Sequence, residues 1–114
     1  MPQIQGNFLP PNASRYVSQA PEEVIIVKTS PGILYNACIV NVGEQSLVVW
    51  FFDSPNASGA ALHSPIRIPA GGSVSFSPSE AFPFETGLTL AASASARGYA
   101  AWGMSDIMAT VIFR

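Results

Sequence analysis

The sequence predicts an all-β fold: a single antiparallel β-sandwich or jelly roll of about seven or eight strands with an extended N-terminal arm. Three observations carry that expectation. Ten prolines and nine glycines punctuate only 114 residues, too often for long helices, because proline removes a backbone donor and glycine costs helix entropy. The apolar segments between these breaks are β-branched or alternate with a period of two. No segment keeps a helical period long enough for a βαβ crossover.

Taken in order, residues 1–21 contain Pro2, Pro10, Pro11 and Pro21 and show neither helical nor strand periodicity. They read as an arm, with residues 22–114 as the sandwich domain. Ile4, Phe8, Leu9, Tyr16 and Val17 make the arm more apolar than a solvated tail needs, so these five are the candidate interface residues. Val24-Ile25-Ile26-Val27 is a β-branched strand closed by the turn signal Thr29-Ser30-Pro31-Gly32. Ile33 to Val42 alternates, with Leu34, Cys38, Val40 and Val42 on the face expected to be buried; Asn36 interrupts that face and Ile39 the other. After a turn at Asn41 to Gln45, Leu47 to Phe52 is apolar at every position, so both faces of that strand must be covered, with Val48, Trp50 and Phe52 expected at the sandwich centre.

Asp53 to Gly59 is a dense cluster of turn formers, leading into an irregular stretch with His63 and a brief strand at Ile66-Arg67-Ile68. Pro69-Ala70-Gly71-Gly72 reads as a hairpin turn, and Ser73-Val74-Ser75-Phe76-Ser77 as a strand wet on one side. Phe82 and Phe84 flank Pro83. Gly87-Leu88-Thr89-Leu90 opens a strand that fades into the Ala/Ser-rich patch 91–96, a loop or weak edge strand. The final alternation sets Ile107, Ala109, Val111 and Phe113 against Met108, Thr110 and Ile112.

Composition narrows the function classes. Only 11% of residues are charged against 48% hydrophobic, and mean hydropathy is positive; a soluble monomer surface ordinarily carries about twice that charge. Five basic against seven acidic residues provide no positive stripe for phosphate, so nucleic acid is not an expected partner. No apolar run approaches the roughly 20 residues of a membrane helix, and the start Met1-Pro2-Gln3-Ile4-Gln5 lacks the basic and apolar regions of a secretory signal. Cys38 is alone and reads as a small buried hydrophobe rather than a reactive thiol.

Chemistry is sparse. His63 is the single histidine, read as an exposed loop residue, and no Gly-x-Ser-x-Gly elbow accompanies it. No His, Cys and carboxylate cluster has metal-ligand spacing. Glu22, Glu23, Glu44, Asp53, Glu80, Glu85 and Asp106 lie mostly at turns, where a solvated carboxylate is the ordinary state. The expectation is no catalytic residue, no cofactor, no metal and no enzyme. The aromatic surplus, including Tyr99 and Trp102 before the last strand, points to interfaces and leaves a sugar-binding module open.

Pro31-Gly32-Ile33-Leu34-Tyr35-Asn36-Ala37-Cys38-Ile39-Val40-Asn41, followed by an apolar strand ending Phe52-Asp53, resembles a family of small tailed-phage and prophage virion proteins. In that family a Gly-hydrophobic-Leu-Tyr strand runs to an Asn, and the next strand closes with an aromatic residue before Asp. Ile66 to Ile68 with Pro69-Ala70-Gly71, Gly87-Leu88, and Ala109 to Arg114 extend the likeness over residues 24–114; relatives often end in Tyr-Arg where this chain has Phe113-Arg114. The resemblance implies a β-sandwich or jelly-roll capsid decoration (cement) protein, made in the host cytoplasm and seated on the capsid surface. Its implied partners are the major capsid protein and/or copies of itself in a homo-oligomeric assembly. The absence of repeats and heptads favours the head over a fibre; the alternative is a tail or fibre-associated receptor- or carbohydrate-binding module, and a third reading is a small hydrolase.

Overall fold

A computed structural model describes residues 12–78 and 80–114. Among them every regular element is a strand: β1 (Ser14–Val17), β2 (Val24–Lys28), β3 (Gly32–Asn41), β4 (Leu47–Phe52), β5 (Ala61–Ile68), β6 (Ser73–Phe76), β7 (Phe82–Phe84), β8 (Leu88–Ser93) and β9 (Ile107–Phe113). They form two antiparallel sheets. One is five-stranded, in the order β1-β9-β3-β6 with β7 also on β3; the other is four-stranded, in the order β2-β8-β4-β5. This is the expected all-β sandwich. Its two additional short strands are β7, built around Pro83, and β1, which forms where the sequence has no periodicity because β9 supplies the pairing template.

Only the β4–β5 and β6–β7 connections stay within a sheet; every other connection crosses the core. The turn at Pro69 to Gly72 is therefore a sheet-to-sheet turn, not a hairpin. Gly72 N–H donates to the Pro69 carbonyl (2.9 Å) and Gly71 takes φ +72°, the positive value that a type II turn requires at its third position. Gly32 has a different reason: a Cβ there would collide with the Arg114 carbonyl oxygen and the Phe84 ring, because β7 and the end of β9 close around it.

The core lies between the sheets. Ile25, Leu34, Ile39, Leu47, Val49, Phe51, Ile68, Leu88, Leu90, Ile107 and Val111 are fully buried in one cluster. β9 follows its expected alternation, with Ile107, Ala109 and Val111 inside. β3 does not. A register shift between Leu34 and Asn36 against β9 makes Tyr35 an extra residue, and the parity reverses. Leu34 is inside before the bulge, Ala37, Ile39 and Asn41 after it, while Cys38 and Val40 turn outward and remain half-buried. Local alternation cannot reveal a bulge that the partner strand imposes.

β4 is also inverted relative to expectation. Leu47, Val49 and Phe51 face the other sheet; Val48, Trp50 and Phe52 lie on the opposite face. That face is covered by the β8–β9 connection: Trp50 Nε1 donates to the Ser95 carbonyl (3.0 Å), Trp50 stacks on Phe52 (centroids 5.9 Å), and Tyr99 meets Phe52 edge-on (5.4 Å). The connection is held to the end of β8 by Trp102 N–H on the Ala92 carbonyl (3.2 Å) and Ala100 N–H on Ser93 Oγ (3.0 Å). Ala91, Ala92 and Ser93 are consequently not a loop or edge but part of a central strand, entirely buried. Small side chains suit a strand covered on both faces.

Among the described residues Asn41 is the one side-chain amide at zero exposure, and it is satisfied. Its Nδ2 donates to the carbonyls of Gln45 (2.8 Å), Ile68 (3.1 Å) and Pro69 (3.2 Å), and its Oδ1 accepts the Gly43 N–H (2.9 Å). One side chain thus ties the end of β3 in one sheet to the end of β5 in the other. A buried polar group so paired avoids the cost of an orphaned one.

Candidate protein interface

The outer face of the five-stranded sheet follows from the strand registers. Arg15 and Val17 of β1 lie beside Ile112 and Thr110 of β9; Asn36, Cys38 and Val40 of β3 lie beside Ile112, Thr110 and Met108; Ser75 and Ser73 of β6 complete the row. Val17 is 44% exposed and Val42, just past β3, is 45% exposed. A shallow groove of 200 Å³ runs between Val17, Cys38, Val40, Met108 and Thr110. Charge on this face is confined to its rim: Arg15 on β1, and Arg114 and Asp106, which continue the outward alternation past the two ends of β9 opposite Ile33 and Val42. The four-stranded sheet has its β8–β9 cover; among the described residues no segment plays that part over this face. A surface whose charges stand only at its rim suits a protein contact, since the centres of such interfaces are depleted of charge.

Of the five expected interface residues, Ile4, Phe8 and Leu9 lie outside the described residues. Tyr16 and Val17 are neighbours on β1. Tyr16 pairs with Val111 and packs on the core, while Val17 is on the outer face. The Tyr16 hydroxyl donates to Glu22 Oε2 (2.5 Å), as does Ser18 Oγ (2.8 Å), and Ser18 Oγ accepts the Ala109 N–H (3.0 Å). Burial first, and then the Glu22 carboxylate, raise the Tyr16 phenol above its ordinary range. Cys38 and Val40 belong to the same face and were missed as surface residues because the β3 bulge hides their direction.

Several of the residues weighed for chemistry make contacts within the scaffold. His63 is not in a loop; it lies in β5, half-buried, with its ring 4.5 Å from Phe76 and 6.0 Å from Phe82 between centroids. Glu23 Oε2 accepts the Gly103 N–H (2.8 Å), and Asp106 Oδ2 accepts the Trp102 indole N–H (2.8 Å). Tyr99 is raised by burial and by the Glu23 carboxylate. Among the described residues no group of three His, Cys, Asp or Glu could hold a metal ion, and no helix is long and apolar enough to cross a membrane.

Asp53, at the end of β4, accepts the Glu85 N–H (2.9 Å) and the Thr86 N–H (2.9 Å), and its own carbonyl accepts the Thr86 hydroxyl (2.7 Å). Burial pushes its carboxyl up, but hydrogen bonds from Thr86, Glu85 and Gly87 more than reverse this and hold it below its ordinary value. A carboxyl depressed on folding contributes stability that is present above its unfolded value, about 3.9, and is lost as pH falls through the folded value. Melting temperatures recorded across that acid window are expected to fall for the natural chain and to fall less for Asp53→Asn. Parallel curves would assign the acid sensitivity elsewhere.

Together these features are consistent with an all-β protein-interaction module whose least encumbered surface is the outer face of the five-stranded sheet. No protein-family model, no curated protein and no solved structure matches this chain.

Proposed function

We propose that this chain is a non-enzymatic structural subunit of a phage virion, a capsid decoration or cement protein that binds the major capsid protein and/or copies of itself. The observation that carries the reading is the face built from Val17, Cys38, Val40, Met108, Thr110 and Ile112, which no other described segment covers and which is charged only at its rim. An adhesive subunit needs a rigid body and a surface that is inexpensive to desolvate; burying charge costs far more than burying apolar area. The sandwich supplies the body, and low overall charge suits the surface. The virion assignment itself rests on the resemblance of Pro31 to Asn41 and the segments downstream.

The test is to purify particles from a phage or prophage carrying this sequence, with and without its reading frame, and to image both. Density for a β-sandwich on the outside of the head, absent from the deletion and restored by adding purified protein, is the expected result. Density at the tail would transfer the chain to the receptor-binding alternative, and no difference between the particles would remove the virion reading.

A further inference from the structure

The outer edges of the two sheets are not equivalent. β5 carries Pro65 within it and two register shifts against β4. β2 is irregular between Ile26 and Lys28. The far edge of β3 is split between β6, itself regular, and β7, which contains Pro83, so it offers no continuous strand. Such irregularities discourage foreign strands from pairing. β1 has none of them: Ser14–Val17 is free of proline, runs against β9 without a register shift, and is exposed except at Tyr16.

Alternation in an antiparallel ladder fixes which of its backbone groups point away from β9. Ser18 N–H donates to the Ala109 carbonyl (2.9 Å), so Ser18, Tyr16 and Ser14 direct their backbone groups at β9, and Arg15 and Val17 direct theirs away. The Gln19 amide, which donates to the Val17 carbonyl at 3.4 Å, confirms that this oxygen is reached from outside. An open groove of 390 Å³ between Tyr16, Val17, Gln19, Ala20 and Glu22 leaves room at the end of this edge.

We propose that β1 pairs antiparallel with β1 of a second copy across a twofold axis at Tyr16. Arg15 of each copy then faces Val17 of the other, and each such pair exchanges two backbone hydrogen bonds. The outward groups are arranged symmetrically about Tyr16, so the edge is complementary to itself once the long Gln19 contact to the Val17 carbonyl gives way. Pairing consumes it and closes on two copies instead of growing into a filament. A longer foreign strand would fit less well, because past Val17 the chain turns away toward Pro21 and would leave the intruder's groups unpaired. The dimer also joins two outer faces into one broad surface, with the two Arg15 side chains at its seam. This pairing stands apart from the virion reading, since it concerns the edge alone.

Sedimentation velocity of the full chain across a broad concentration range is expected to show a reversible dimer. Val17→Pro deletes an outward N–H and no bond to β9; by symmetry two hydrogen bonds are lost, weakening the dimer at least about tenfold. Val17→Thr, which keeps the N–H, should leave the dimer intact. Amide exchange on the unmodified chain decides the matter without a variant: Arg15 and Val17 amides should gain protection with concentration, whereas the Tyr16 amide, bonded to β9, is protected throughout. A chain that stays monomeric, or Arg15 and Val17 amides that exchange freely at every concentration, would overturn the proposal.

Discussion

Phe51→Ala is expected to destabilise the domain by about 3–5 kcal/mol, the cost of truncating a buried ring in a core that cannot collapse around the void. Phe51 has no exposed surface, lies in β4 between β8 and β5, and its ring meets Phe76 at 5.4 Å between centroids. Its neighbour supplies the control. Trp50 is larger, but it is half-buried on the other face under the β8–β9 connection, where it makes one hydrogen bond to the Ser95 carbonyl. Trp50→Ala is expected to cost less, roughly 1–2 kcal/mol, from partial burial and that bond. Denaturant unfolding of both variants checks the order. A larger loss for Trp50 than for Phe51 would mean that the sandwich centre is formed by Val48, Trp50 and Phe52, as strand composition alone suggests.

That reversal illustrates what could be read in the chain and what could not. The class of fold was legible because β-branched runs, strict alternation at Ser73 to Ser77, the looser alternation of Ile107 to Phe113, and frequent proline and glycine all favour short strands. The need to cover both faces of Leu47 to Phe52 was legible too. Which face looks inward was not, since an unbroken apolar run has no parity, and in β3 the parity changes at Tyr35 through a bulge visible only against β9. His63 escaped for a related reason: Pro65 makes its segment look like a loop, yet proline is tolerated on an edge strand, and β5 is one.

The candidate surface was legible only in part. Low charge and surplus aromatic residues pointed to contacts, and Tyr16 and Val17 do lie together on β1. Cys38, Val40 and Met108 come onto one surface only through the β3–β9 register, and the acceptor roles of Glu23 and Asp53 depend on partners far away in sequence, Gly103 for the one and Glu85 and Thr86 for the other. Short-range reasoning sees a turn carboxylate; the folded chain uses it to hold a loop.

The second large effect is expected from a charge placed in the middle of the outer face of the five-stranded sheet. Val40 sits opposite Met108 on one side and Ser73 on the other, half-buried and pointing outward. In the free domain a carboxylate there can reach water, so Val40→Glu should cost little more than the loss of β-propensity, on the order of 1 kcal/mol. In a contact that seals this face the same carboxylate would be buried without a partner, a penalty of about 3–5 kcal/mol, or a hundredfold or more in affinity. The most direct measurement is therefore the occupancy of Val40→Glu on purified particles that lack the natural protein, titrated beside the natural chain and with melting points matched. The account predicts that the variant folds, melts close to the natural protein and binds at least about a hundredfold more weakly; equal occupancy at equal concentration would contradict it and place the binding surface away from the five-stranded sheet.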